Sequence, residues 1–265
     1  MDGYAARFNG IGRLFSPQGQ ERLKASHVCV VGLGGVGSWA VESLARSGIG
    51  ELTLIDLDDV CISNVNRQLH AVKEELGKPK TDAMARRVLA INPECRVHAV
   101  QAFFLKSNAR ELLAPDFDYV VDAIDSPSRK ALLIGLCKER GIPVVTTGAA
   151  GGRRDPTQLR TIDLAFSSQD RLLQQVRKTL RCRHGFPRGD LPFGVECIAS
   201  TEPVTNPSGE ACGTGATGPD LRLDCQSGFG TASFVTGAFG LAAASRVVIG
   251  LVSGIKTKSG SAALR

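Results

Sequence analysis

Apolar residues recur along the chain in two periods, and their alternation predicts the order of elements. His27 to Val31 is a short β-branched run that leads into a glycine-rich turn. Ser38 to Ser47 then places Trp39, Val41, Leu44 and Ala45 at helical spacing, and Gly48 and Gly50 close that helix. Glu51 to Leu57 reads as a second strand and completes a βαβ unit. After a polar loop from Asp58 to Leu76, Lys80 to Asn92 repeats Ala83, Met84, Val88 and Leu89 at helical intervals. Cys95 to Val100 and Phe117 to Ile124 read as strands, Ser128 to Arg140 as a helix, and Val144 to Thr147 as a fifth strand entering the Gly148 to Gly152 loop. This alternation predicts an α/β fold with a Rossmann-like, doubly wound, mainly parallel sheet.

The flanks differ from this core. Residues 1–26 read as an N-terminal helical arm, 27–155 as the nucleotide-binding core, and 156–265 as a smaller C-terminal lobe for substrate binding and dimerisation. In that last part periodicity weakens: Thr161 to Ala165 reads as a strand, Leu172 to Leu180 as a helix, and 203–220 as a Gly/Pro/Thr-rich loop. Gly228 to Ile255 is apolar enough to suggest a membrane span. Arg246 interrupts it and Ser233, Thr236 and Ser245 recur through it, so a buried helix is expected and no stable membrane insertion.

The turn Gly32-Leu33-Gly34-Gly35-Val36-Gly37 has the spacing that lets backbone N–H groups and a helix N-terminus meet phosphate oxygens. With Asp56 at the end of the second strand, the pattern by itself suits NAD as well as ATP. The residues after Asp56 favour a triphosphate, because Asn64, Arg67, Gln68 and Lys80 add hydrogen-bond donors and two cations. Such cations neutralise charge growing on a leaving pyrophosphate. Asp125, in Asp122-Ala123-Ile124-Asp125-Ser126, is a candidate magnesium ligand at the carboxyl end of the fourth strand. Any of these residues alone is an ordinary surface charge or cap; their order along the chain carries the reading.

Composition adds a partner and a compartment. The 265 residues are 43% hydrophobic and 22% charged, which fits a folded globular chain. The net charge of +6 favours a polyanionic partner. Eight scattered cysteines, with no CxxC pair and no secretory leader, suit a reducing cytoplasmic compartment and give no reason to expect a zinc site of the two-pair type.

The ordered set of glycine turn, Asp56-Leu57-Asp58, Ser63-Asn64-x-x-Arg67-Gln68, Lys78-Pro79-Lys80 and Asp122-to-Asp125 resembles the ubiquitin-activating-enzyme-like adenylyltransferases. The resemblance implies that Gly32, Gly34, Gly35, Gly37, Asp56, Asp58, Asn64, Gln68 and Ser126 bind ATP, and that Arg67, Lys80 and Asp125 act in adenylation, Asp125 by positioning Mg2+. The family's arm arginine, which reaches across a homodimer, has no match at Gly10, and Arg13 takes its place.

The second half narrows the resemblance. Gly148-Ala149-Ala150-Gly151-Gly152 with Asp155-Pro156-Thr157, Glu196-Cys197-Ile198-Ala199-Ser200-Thr201-Glu202 and Asp224-Cys225-x-Ser227-Gly228-Phe229-Gly230 resemble the tRNA threonylcarbamoyladenosine dehydratases. That resemblance implies adenylation of the threonylcarbamoyl carboxylate beside the anticodon, then ring closure with loss of water. Positioning can supply much of the rate of such an intramolecular step. The cationic stretch from Arg153 to Arg188, chiefly Arg153, Arg154, Arg177 and Arg181, is assigned to tRNA phosphates. A monovalent cation and a cysteine desulfurase sulfur-acceptor protein are further candidate ligands and partners. Cys197 and Cys225 are either buried thiols or covalent participants. Two other functions stay open: activation of a ubiquitin-like sulfur carrier's C-terminus, and a nucleotide-binding adaptor without catalysis.

Overall fold

The computed structural model describes residues 3–204 and 229–254, so Cys225 and most of the 203–220 loop lie outside the described residues. Seven strands form one sheet, β1 (His27–Val31), β2 (Glu51–Ile55), β3 (Arg96–Val100), β4 (Tyr119–Asp122), β5 (Val144–Thr147), β6 (Leu159–Asp163) and β7 (Glu196–Ser200), in the order β3-β2-β1-β4-β5-β7-β6. All neighbours run parallel except β6, which is antiparallel to β7. The helices are α1 (Gly3–Ala25), α2 (Gly35–Arg46), α3 (Lys80–Ile91), α4 (Ala109–Leu112), α5 (Pro127–Arg140), α6 (Arg171–Arg183) and α7 (Ser233–Val252).

The continuous apolar run of β1 reflects burial on both faces. Val28 and Val30 join a core with Leu44, Leu54, Phe239 and Val247, while Cys29 and Val31 join the opposite core with Val120, Leu133 and Leu180. Strand order reverses at β1, where β2 lies on one side and β4 on the other, and this opens a crevice at the carboxyl ends of β1 and β4.

Two features add to the sequence reading. β7, unassigned in the sequence, enters the sheet beside β5, and the sheet runs on unbroken through β7 and β6 past the division expected at residue 155. The arm is one helix kinked at Ser16, whose φ of 71° is non-helical; its hydroxyl then caps the second half by accepting from Gly19 N at 3.2 Å.

Helix α7 is long and apolar enough to cross a membrane, with mean hydropathy 1.8, yet 56% of that stretch is buried within the fold. Its small residues explain how. A Cβ at Gly240 would overlap the Val36 carbonyl and Trp39 of α2, so the two helices pack at a distance that only glycine permits.

Candidate active site

The crevice holds a cavity of about 660 Å³ bordered by the glycine turn, the carboxyl ends of β1, β2 and β4, the 63–68 segment, Lys80 and the 148–151 loop. That is within the size range of cofactor sites, about 300–1,000 Å³. Gly32 leaves β1 with φ 91°, and its N–H donates to Ile55 O at 2.9 Å. A side chain there would strike the Ala123 carbonyl of the β4 loop. Gly34 and Gly35 line the cavity. Gly37 does not border it; a Cβ there would overlap the Gly32 carbonyl, so this glycine serves the contact between turn and helix.

Asp56 closes the turn from β2. Its carboxylate accepts Leu33 N–H at 2.6 Å and Asp58 N–H at 2.9 Å. Burial raises its pKa above the ordinary aspartate value, against the pull of nearby Lys80 and of these two N–H donors. Asp58, largely exposed, holds buried Lys80 with an Nζ to Oδ2 distance of 2.8 Å. The ammonium of Lys80 is thereby aimed into the cavity by a carboxylate two residues beyond Asp56.

Asn64 is buried and accepts Cys61 N–H through Oδ1 at 3.0 Å, which sets the short 3-10 helix Ile62–Asn64. Arg67 then reaches the cavity with its backbone fixed from two sides, its carbonyl accepting Trp39 Nε1 at 3.2 Å and Thr236 Oγ1 at 3.1 Å. Its guanidinium donates to Ser63 O at 2.6 Å and Asn66 Oδ1 at 3.0 Å. Gln68 is buried at the cavity wall, and its Oε1 has no hydrogen-bond partner among the described residues. An unpaired buried acceptor beside an open cavity suits a ligand donor.

Asp125 lies exposed on the cavity rim beyond β4. Two groups that the sequence reading did not single out, Arg129 and Lys130, belong to the helix that follows it. Arg129, on the first turn of α5, stacks over Phe103 at 4.5 Å, and both border the cavity. Asp122, fully buried, pairs with equally buried Lys130 at 3.0 Å and accepts Thr146 Oγ1 at 2.7 Å, which anchors β4 and β5 beneath the rim. The Pro127 start of α5 was a visible signal for Arg129, whereas nothing in the sequence marks Lys130 as buried.

Other expected residues are placed elsewhere. Ser126 occupies the position just before α5 without a side-chain cap bond, its hydroxyl 3.3 Å from that of Ser128, off the cavity lining. Arg13 is exposed on α1 and does not line the cavity of its own chain.

The assignment of Arg153 to tRNA phosphates is corrected. Its side chain is fully buried and donates to the carbonyls of Ala149 (2.8 Å), Gln169 (3.0 Å), Ser200 (3.4 Å) and Glu202, and pairs with buried Asp170 at 3.4 Å. Asp170 in turn accepts Ala149 N–H at 2.8 Å and caps α6 through Leu173 N–H at 3.0 Å. Together they clamp the 148–152 loop. Arg177 donates to Ser167 O and Arg181 to Pro187 O at 3.1 Å, so both are half-buried and partly engaged, while Arg154, Lys178, Arg183 and Arg188 are exposed. Cys197 is fully buried in β7, and burial pushes its thiol far above the usual range, which suits packing and not nucleophilic attack.

Residues 9–260 match the ThiF family. The chain belongs to that family. This ThiF-family chain is 48% identical over 250 residues to the tRNA threonylcarbamoyladenosine dehydratase of Haemophilus influenzae, covering 94% of each protein. It is 46% identical over 252 residues to the Escherichia coli enzyme of the same name, covering 93% of this chain and 94% of the relative. Its fold is similar to the crystal structure of the E. coli tRNA N6-threonylcarbamoyladenosine dehydratase in complex with ATP, with TM-score 0.85, 41% identity and 96% of both chains covered.

Proposed function

We propose that the chain is an ATP-dependent tRNA threonylcarbamoyladenosine dehydratase. The observation that carries this reading is the convergence of Asp56, Arg67, the Asp58–Lys80 pair and Asp125 on one cavity, in a chain similar to such dehydratases along nearly its whole length. The carboxylate of the threonylcarbamoyl group attacks the α-phosphorus of ATP and pyrophosphate leaves. A nucleophile within the same modification then attacks the activated carbonyl, closing the ring and releasing AMP, with net loss of water.

Each residue has a part that its position supports. Gly32, Gly34 and Gly35 allow the phosphates to approach the backbone, and Asp56 both shapes the turn and accepts from the ribose. Arg67 and Lys80 stabilise charge on the departing pyrophosphate, their heads set by Ser63 and Asn66 and by Asp58 respectively. Asp125 would hold Mg2+, which would supply positive charge to neutralise the phosphates. Ring closure needs only that the modified nucleoside be held close, so no thiol is assigned to it.

The same proposal includes a homodimer, in which a second copy reaches across with its own Arg13, and a cytoplasmic location, consistent with the free thiols of all six described cysteines. A monovalent cation and a sulfur-acceptor protein are secondary candidates. The tRNA surface is redrawn on exposed Arg154, Lys178, Arg183 and Arg188.

The test incubates the protein with ATP and threonylcarbamoylated tRNA and follows the modified nucleoside by mass spectrometry. Loss of one water, with AMP and pyrophosphate formed, is the expected result. Pyrophosphate exchange that requires instead a small protein with a Gly-Gly tail would replace this reading with sulfur-carrier activation. Reversing the charge of Lys178 and Arg183 should flatten the salt dependence of tRNA affinity by roughly one unit for each phosphate no longer neutralised.

A further inference from the structure

At the end of the sheet remote from the glycine turn, β1, β2 and β3 bring three metal-ligating side chains onto one face. His27 is in register with Glu51, and Thr53 with His98. Residues in register on parallel strands, and residues two apart on one strand, project from the same side. Glu51 Oε1 lies 2.8 Å from His98 Nε2 and 3.7 Å from His27 Nδ1. One ligand atom from each of the three residues lies within 4.8 Å of the others.

These separations suit a bound ion. With metal–ligand bonds of about 2.0–2.1 Å, a tetrahedral ion holds its ligand atoms about 3.3 Å apart. The observed Glu51 distances fall on either side of that value, so the half-exposed His98 side chain has little way to move. The other ring nitrogen of His27, Nε2, is 2.8 Å from Thr53 Oγ1. With the proton on Nε2 and donated to that hydroxyl, the Nδ1 lone pair faces Glu51, the kind of outer hydrogen bond that orients a ligating imidazole. Phe117 packs edge-on against the same ring at 4.7 Å and fixes its plane. Arg96 pairs with the other oxygen of Glu51, Oε2, which leaves Oε1 for the ion.

We propose that His27, Glu51 and His98 form a binding site for a divalent first-row transition ion of the zinc class, which ties together the starts of the first three strands. Two imidazoles and one carboxylate select zinc, nickel or copper over magnesium or calcium, which prefer all-oxygen sets. No cysteine among the described residues takes part, and the paired-cysteine motif of the other kind of zinc centre is absent from the sequence. Half exposure of His98 leaves a side open to water. The length of β1, about 13 Å at about 3.3 Å per residue, separates the site from the nucleotide crevice. Its role is therefore to brace the sheet.

The test uses the full chain with accessible thiols alkylated, since free cysteines also bind zinc. Zinc is titrated at neutral pH by calorimetry, and melting is followed with and without it. The expected result is one equivalent bound and a raised Tm, with magnesium giving neither. His98→Ala, a change at a half-exposed side chain, should bind zinc at least about tenfold more weakly and lose the metal-dependent rise in Tm. His98→Gln, which keeps the volume, should behave alike. No zinc-dependent rise in the wild type, equal zinc affinity in either variant, or equal binding of magnesium would overturn the proposal.

Discussion

Replacing Arg153 by methionine separates two roles for this residue. Methionine preserves most of the apolar stem and removes a guanidinium that makes hydrogen bonds to four carbonyls and pairs with Asp170, whose side chain is equally inaccessible. Removing one member of a buried ion pair costs about 3–5 kcal/mol, because the remaining charge is left uncompensated. Asp170 keeps two N–H donors, from Ala149 and Leu173, so the lower half of that range applies. At about 2–4 °C per kcal/mol, Tm should fall by at least roughly 6 °C. Urea unfolding followed by circular dichroism measures the loss, and a parallel titration with ATP should show weaker binding because the clamped loop borders the nucleotide cavity. A variant within about 1 kcal/mol of wild type, with reduced salt dependence of tRNA binding, would refute the buried clamp and restore Arg153 to the surface.

The site and its supports give three further expected outcomes. Asp56→Asn should weaken ATP binding at least about tenfold by calorimetry and lower the Tm of the ligand-free protein, because an amide oxygen can accept only one of the two N–H bonds that the carboxylate takes from Leu33 and Asp58. His70 is buried with neither ring nitrogen hydrogen-bonded among the described residues, and burial together with Lys80 lowers its pKa from 6.5 to about 4. A depressed histidine contributes stability above its unfolded pKa that is lost as pH falls, so wild type should lose about 3 kcal/mol between pH 6.5 and about 4, and His70→Phe should remove that slope from urea titrations. Gly240→Leu should cost about 1–3 kcal/mol or more, since it drives a side chain into Val36 and Trp39; an unchanged Tm would mean that α2 and α7 do not pack closely.

The parallel half of the sheet was legible because strands buried on both faces must be largely apolar, as Val28 to Val31 and Tyr119 to Val121 are. The cavity residues were legible because the ligand edge of such a sheet gathers loops in chain order: Asp56, Asn64, Arg67, Lys80 and Asp125 meet there although about seventy positions separate the first from the last. β7 escaped notice because five residues in a region of weak periodicity carry little signal, and only pairing with β5 and β6 makes them a strand. Neighbouring Arg153 and Arg154 look alike in one dimension, yet one guanidinium is wholly enclosed and the other residue exposed. The difference between them is the set of four carbonyls and Asp170 converging from segments as far away as residue 202. The Lys130–Asp122 pair is likewise a product of tertiary packing.

The double grip on the Arg67 carbonyl also has a consequence for synthesis. Trp39 is made early, but Thr236 belongs to the last described helix, 169 positions after the arginine it helps to hold. A growing chain can therefore complete its first five strands and its glycine turn while Arg67 still lacks half of its support. The nucleotide site becomes fully formed only when α7 docks on α2, so the earliest ribosome-bound intermediates should bind ATP poorly even with every ligand residue already present.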